Sequence, residues 1–218
     1  MNLLAIDTST EVASVAVLLG DKLFHEEQGS QKTHAQFILP MIDQLMHDSG
    51  LQMNQLDGIV FGCGPGSFTG LRIACSIAKG LAYAHDLDLI PVSSLSAVVW
   101  AARQETTLPV LAVLDARMHE LYWAYYAPEQ LVAEERVNAA SEIILPHEQS
   151  FVLAGVGIDT YWMDFPEALK EKISTQINVH PNAAAMLQLA RTKVIQSVSA
   201  ANAQPVYVRN QVTYSKKP

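Results

Sequence analysis

The chain has 218 residues, half of them hydrophobic and 17% charged, with a formal net charge of −8. This composition belongs to a folded globular protein with one large core or two of about 100 residues each, and it excludes a disordered or fibrous chain. Acidity without a Lys/Arg cluster argues against tight, direct binding of RNA or DNA by this chain alone.

MNLLAIDTST carries no positively charged leader and no long apolar run, so neither an ordinary signal peptide nor a membrane span is expected, and a cytoplasmic location follows. Leu3–Asp7 reads as an apolar strand ending in a carboxylate. Val12–Leu19 and Lys22–Gln28 follow as strands joined by the hairpin signal Gly20-Asp21. Thr33–Ser49 is helical in period, with Phe37, Ile38, Met41, Ile42, Leu45 and Met46 on a broad apolar face and Gly50 as its stop. Pro40 lies well inside it, where the lost backbone bond costs about 3 kcal/mol unless the helix kinks or restarts.

Ile59–Phe61 is a short buried strand. Gly62, Gly64, Pro65, Gly66 and Gly70 then make a tight turn, and Ser67 or Thr69 caps the helix that follows. Such a unit can leave several N–H groups pointing outward at the positive end of a helix dipole, a physical basis for an anion site. Within the helix, Gly70, Ala74, Ala78 and Ala82 recur every fourth residue as one stripe of minimal side chains, and Ser76, Gly80 and Ala84 form a second. Ile73, Ile77 and Leu81 lie between the stripes, and the bulky polar residues are Arg72, Lys79 and Tyr83. With no wide polar face, this helix is expected to be covered on two sides, by its own sheet and by another helix; burial within its own domain would produce the same pattern. Cys63 and Cys75 suit reduced, buried positions better than a disulfide or a metal pair.

Asp88–Val92 (strand), Ser94–Gln104 (helix), strands over Leu108–Asp115, Glu120–Ala127, Gln130–Asn138 and Phe151–Ala154, and a helix over Asn182–Ser197 complete the prediction. Met186, Leu187, Leu189, Ala190 and Val194 form the apolar side of that last helix. An internal echo runs through these elements. IDTSTEVASVAVL (6–18) aligns without a gap on LDARMHELYWAYY (114–126), and IVFGCGPG (59–66) echoes FVLAGVGI (151–158). Two α/β domains of like topology are therefore expected, residues 1–104 and 105–218, with duplicated mixed sheets flanked by helices. That is the actin-like, sugar kinase and Hsp70 (ASKHA) architecture, in which Asp-ended hairpins and glycine turns face a nucleotide. Asp7, Thr8, Ser9, Gly64, Gly66, Asp115, Gly155 and Gly157 are the corresponding nucleotide candidates.

Taken together, IDTST, THAQFILPMI, GPGSFTGLR with AKGLA behind it, VSSL, LDARMHELYWA and PVYVRN resemble the bacterial TsaB (YeaZ) family over nearly the whole chain. The resemblance implies the fold just described and a role in making N6-threonylcarbamoyladenosine at position 37 of tRNAs that read codons beginning with A. It also implies a non-catalytic paralogue of the transferase TsaD that pairs with TsaD through helix–helix packing and is joined by the ATPase TsaE. TsaD-type transferases carry a metal-binding H-x-x-x-H after the strand that follows the glycine-rich helix. Here Ser94 and Val98 stand at the ligand positions, a poor neutral donor and no donor at all, so no metal site is expected.

The expected interface comprises His34, Phe37, Ile38, Met41, Ile42 and Leu45 of the first helix, with Gly70, Arg72, Ile73, Ala74, Ile77, Ala78 and Leu81 of the second. These would form half of a helical bundle, closed by a TsaD-like subunit or, in the lone protein, by a second copy. Weak ATP or ADP binding is the one cofactor reading left open. Thr8-Ser9-Thr10-Glu11 lacks the glycine of a phosphate loop and adds a repelling carboxylate, and Gly66–Gly70 leads to Leu71-Arg72 rather than to a Walker lysine. Ser67 is not a hydrolase nucleophile by pattern, because Gly66 immediately precedes it and G-x-S-x-G is not met. The alternative function is an autonomous ATP-dependent phosphotransferase of the same fold.

Overall fold

The computed structural model describes residues 1–29, 34–145 and 149–209. Strand β1 (Asn2–Asp7) is apolar on both faces, as suits a central strand, and pairs antiparallel with β2 (Val12–Leu19). Strand β3 (Lys22–Gly29) pairs antiparallel with β2 and forms an edge, where His25, Glu26 and Glu27 discourage further pairing. Helix α1 (His34–Ser49) follows, then β4 (Gly58–Gly64), helix α2 (Phe68–His85), β5 (Leu89–Ser93) and helix α3 (Ser94–Ala102). The first sheet has the order β3-β2-β1-β4-β5, with β4 parallel to β1 and β5 parallel to β4.

The second half repeats this plan. Strands β6 (Val110–Asp115), β7 (Leu121–Tyr126) and β8 (Arg136–Asn138) form an antiparallel meander, and β9 (Phe151–Gly155) and β10 (Ile173–Asn178) add in parallel beside β6. The order is β10-β9-β6-β7-β8, with the short helices α4 (Ile158–Tyr161) and α5 (Glu167–Lys170) between β9 and β10 and α6 (Ala183–Arg191) after them. The expected duplicated pair of mixed sheets flanked by helices is what the chain forms.

Alternation along each strand sends side chains to opposite faces. Leu4, Ile6, Val15, Val17, Ile59 and Phe61 meet α1 and α2 on one side of the first sheet, while Leu3, Ala5, Ala16, Leu18 and Val60 meet α6 on the other. Leu95, Val98, Val99 and Ala102 of α3 cover Val110, Ala112, Leu114 and Ala154 of the second sheet. The helix that ends each half therefore crosses to the sheet of the other, and α3 and α6 form the layer between the sheets. The two sheets divide between β5 and β6, but these two helices do not stay with their own strands.

Two predicted elements differ. The segment expected as a strand over Gln130–Asn138 is extended in the sheet only at Arg136–Asn138. Before that it docks on the start of α3, where Ser96 Oγ donates to the Leu131 carbonyl at 2.9 Å and Ser93 Oγ to the Glu135 carboxylate. Helix α6 stops at Arg191 rather than Ser197, because Thr192 Oγ1 takes the Leu189 carbonyl at 2.6 Å and Lys193 turns left-handed at φ 58°. Val194 consequently lies exposed instead of on an apolar face. Helix α1 runs through Pro40 as one element with the proline on the solvent side; Thr33, its expected start, lies outside the described residues. The polar edge strand β10 (ISTQIN) carries no apolar run, so no local pattern in the sequence announces it.

Candidate inter-domain cleft and outward helix face

The β1–β2 turn, the glycine loop after β4 and the β6–β7 turn meet where the two halves face each other. Asp7 is fully buried there, accepting from Ser9 N–H at 3.3 Å and from Ser9 Oγ at 2.9 Å. Burial pushes its carboxyl pKa up to about 7, against the opposing pull of the Ser9 hydrogen bonds. Its carboxylate rests on Gly62, where a Cβ would stand 1.9 Å from Oδ1. Ser67 N–H donates to the Ser9 carbonyl at 2.7 Å, and a Cβ on Gly66 would stand 2.4 Å from that same oxygen.

The glycine loop is thus shaped around the neighbouring β1–β2 turn. Gly64 and Gly155 are likewise pressed against main-chain carbonyls, those of Val206 and Val113. Among the nucleotide candidates, Asp7 is held by Ser9, and Gly64, Gly66 and Gly155 each lie where the protein's own main chain comes close. Thr8 is also committed internally, its Oγ1 donating to the Gly70 carbonyl at 2.7 Å. Ser67 Oγ accepts from Gly70 N–H at 3.3 Å and caps α2.

A cavity of about 430 Å³ does lie between the halves. Ser9, Gly66 and Ser67 border it from the first half, and Asp115, Arg117 and Tyr122 from the second. Asp115 accepts from Tyr161 Oη at 2.8 Å and from Arg117 N–H at 2.7 Å. Desolvation, and then that carboxylate, push the Tyr161 phenol up to about 12. Arg117 Nη2 reaches across to Glu11 Oε1 at 2.9 Å, an ion pair that bridges the halves on the surface. Arg117, Met118 and His119 all adopt left-handed backbone, at φ 60°, 57° and 61°. Gly157 starts α4 beside Asp115, with φ 93°. Arg117, Tyr161 and the Val206–Arg209 wall carry no local signal in the sequence, because their contacts are made over long separations along the chain.

The predicted interface residues separate sharply. Ile38, Met41, Ile42 and Leu45 are buried against the first sheet, as are Ala74 and Ala78. Gly70 is buried on Thr8, and buried His34 sets its Nε2 3.2 Å from the Glu11 carbonyl. These eight are corrected to positions inside the monomer. Phe37, Ile73, Ile77 and Leu81 are half-buried at the rim, and Arg72 is exposed.

The reason is helical geometry. At 100° per residue, the Ser76/Gly80/Ala84 stripe lies about 200° from the Ala74/Ala78/Ala82 stripe, so one meets the sheet and the other solvent. Ser76, Gly80, Tyr83 and Ala84 are exposed, and a Cβ on Gly80 would meet nothing within 4 Å among the described residues.

Ser94 and Val98 are both buried in α3, and Ser94 Oγ has no hydrogen-bond partner among the described residues. Among those residues no group of three or more His, Cys, Asp or Glu side chains is placed to hold a metal, and no helix is long and apolar enough to cross a membrane.

A family model described as TsaD, tRNA N6-adenosine threonylcarbamoyltransferase, matches residues 21–216. The chain is 37% identical to the tRNA threonylcarbamoyladenosine biosynthesis protein TsaB of Haemophilus influenzae, over 100% of this chain and 98% of that one. It is 35% identical to the protein of the same name from Escherichia coli K12, over 100% and 99%. A solved structure of YeaZ from Pseudomonas aeruginosa superposes with a TM-score of 0.85 at 32% identity, covering 94% of this chain and 99% of that one.

Proposed function

We propose that this chain, which belongs to the TsaB family whose curated members are named as tRNA threonylcarbamoyladenosine biosynthesis proteins, is the non-catalytic scaffold subunit of that pathway's modifying complex. It pairs with a TsaD-type transferase, joins a TsaE-type ATPase, and supports formation of N6-threonylcarbamoyladenosine at tRNA position 37. Alone, it covers the same face with a second copy. It works in the cytoplasm, meets tRNA through the complex, and has no cofactor of its own; any ATP or ADP binding is weak.

The outward face of α2 carries this reading. Ser76, Gly80 and Ala84 present almost no side-chain bulk, flanked by half-buried Ile73, Ile77 and Leu81 and by Tyr83, which is 86% exposed. A partner helix can approach such a strip at the close end of the usual axial range, about 8 Å. Burial of roughly 800 Å² per partner would be ordinary for a stable pair. Ser94 and Val98 at the transferase ligand positions support the non-catalytic part.

Size-exclusion chromatography with and without a TsaD homologue tests the pairing. Wild type shifts to a heterodimer, whereas Gly80→Arg and Ser76→Arg elute alone with unchanged circular dichroism. Retained pairing in both variants overturns the assignment. The rival, an autonomous phosphotransferase, requires stoichiometric ATP–magnesium binding by titration calorimetry and phosphate release from the lone chain.

A further inference from the structure

The segment Ala203–Arg209 belongs to neither sheet and touches both halves. Ala203 is buried under α2, where Cys75 Sγ lies 4.0 Å and Lys79 Nζ 3.0 Å from its carbonyl. Val206 N–H donates to the Cys63 carbonyl at 2.7 Å, at the end of β4. Tyr207 packs tilted on Phe68 with ring centroids 5.6 Å apart, and the Arg72 guanidinium stands 3.2 Å over the Phe68 ring. All of these anchors lie in the first half.

Arg209 then crosses to the second half. Its guanidinium pairs with the Glu120 carboxylate, sets Nη1 3.1 Å from Met118 Sδ and Nη2 3.5 Å from the Arg117 carbonyl. It therefore grips the left-handed Arg117–His119 turn. Val206 to Arg209 also form one wall of the cavity between the halves. A segment fixed at both ends to different bodies limits how far they can part. Its far end is also incompletely satisfied, because the buried Arg209 Nε has no hydrogen-bond partner among the described residues.

We propose that Ala203–Arg209 is an intramolecular strap that holds the inter-domain cleft closed, and that releasing Arg209 from the Glu120 turn is the step that opens the cavity. The strap is part of the wall it controls, so lifting it widens the cavity. Release needs no disruption of either sheet, since among the described residues the strap meets β4 only at its end, by the hydrogen bond to the Cys63 carbonyl and the packing of the Val206 carbonyl on Gly64.

The two cysteines of the chain report on this motion. Cys63 and Cys75 are both buried; the Cys63 carbonyl accepts from Val206 N–H, and the Cys75 thiol faces the Ala203 carbonyl. Burial also pushes the Cys63 thiol up to about 12, so it reacts only when uncovered. The experiment follows reaction of the native full chain with Ellman's reagent, alongside amide hydrogen exchange. Arg209→Ala and Tyr207→Ala should each accelerate thiol labelling by about tenfold or more, the effect of losing a charged or aromatic anchor on the open population. Exchange should rise over residues 115–120 in the same variants and stay unchanged in β1 and β4. Wild-type labelling rates in both variants overturn the proposal. So does acceleration that only tracks global unfolding as denaturant is added.

Discussion

Thr8 and Gly70 interlock. The threonine hydroxyl donates to the Gly70 carbonyl at 2.7 Å, and a Cβ on Gly70 would stand 1.8 Å from the Thr8 carbonyl oxygen. This contact seats the first turn of α2 on the β1–β2 turn and leaves no room for even a methyl group. Gly70→Ala should therefore cost about 3 kcal/mol, since the obstacle is backbone and cannot rotate away. Urea unfolding of the variant beside wild type measures it.

Gly80 offers the opposite case on the same helix. With open space around its missing Cβ, Gly80→Ala should stabilise the monomer by about 0.5–1 kcal/mol through helix propensity alone. A thermal melt is sufficient, and a destabilised variant would mean that this face is already covered.

Ile38 and Ala74 are unsuitable as interface probes, because both are buried on the first sheet. Ile38→Ala should cost about 2–5 kcal/mol, and Ala74→Arg should leave no folded monomer to assay. Circular dichroism and denaturant midpoints distinguish this from a selective loss of pairing.

Asp7 gives stability a pH dependence of unusual sign for a carboxylate. Its pKa is raised from 3.8 to about 7 on folding, so between these values the native state holds a proton that the unfolded state releases. Folding stability from this residue is complete below the unfolded pKa and is lost as pH rises toward 7, at up to about 1.4 kcal/mol per pH unit. Asp7→Asn should flatten that slope. Urea midpoints between pH 4.5 and 7.5 for both proteins decide it.

His119 sits exposed at φ 61°, a left-handed conformation that costs a side-chain-bearing residue about 1 kcal/mol. His119→Gly should recover up to that amount in a thermal melt and leave the Arg117–Glu11 bridge in place. That bridge, exposed on both sides, should itself contribute no more than about 1 kcal/mol in a double-mutant cycle.

Local and repeated signals carried most of the fold. The two Asp-ended hairpins, the strand–glycine–helix unit with its Ser67 cap and the duplicated element order were all legible from spacing, because period and capping act over a few residues. The polar edge strand β10 and the early end of α6 were not, because one is held by pairing with β9 and the other by a Thr192 side-chain bond. Family membership was likewise readable from ordered motifs.

Direction was what only tertiary structure could decide. Periodicity identifies two small-residue stripes on α2 but is indifferent to which one meets the sheet; the close seat of Gly70 on Thr8 selects the Ala74 stripe and turns Gly80 outward. In the same way, a glycine-rich loop states that something must come near the backbone without naming it. Here the visitor is the Asp7–Ser9 turn and the Val206 carbonyl, drawn from parts of the chain that lie far away until it folds.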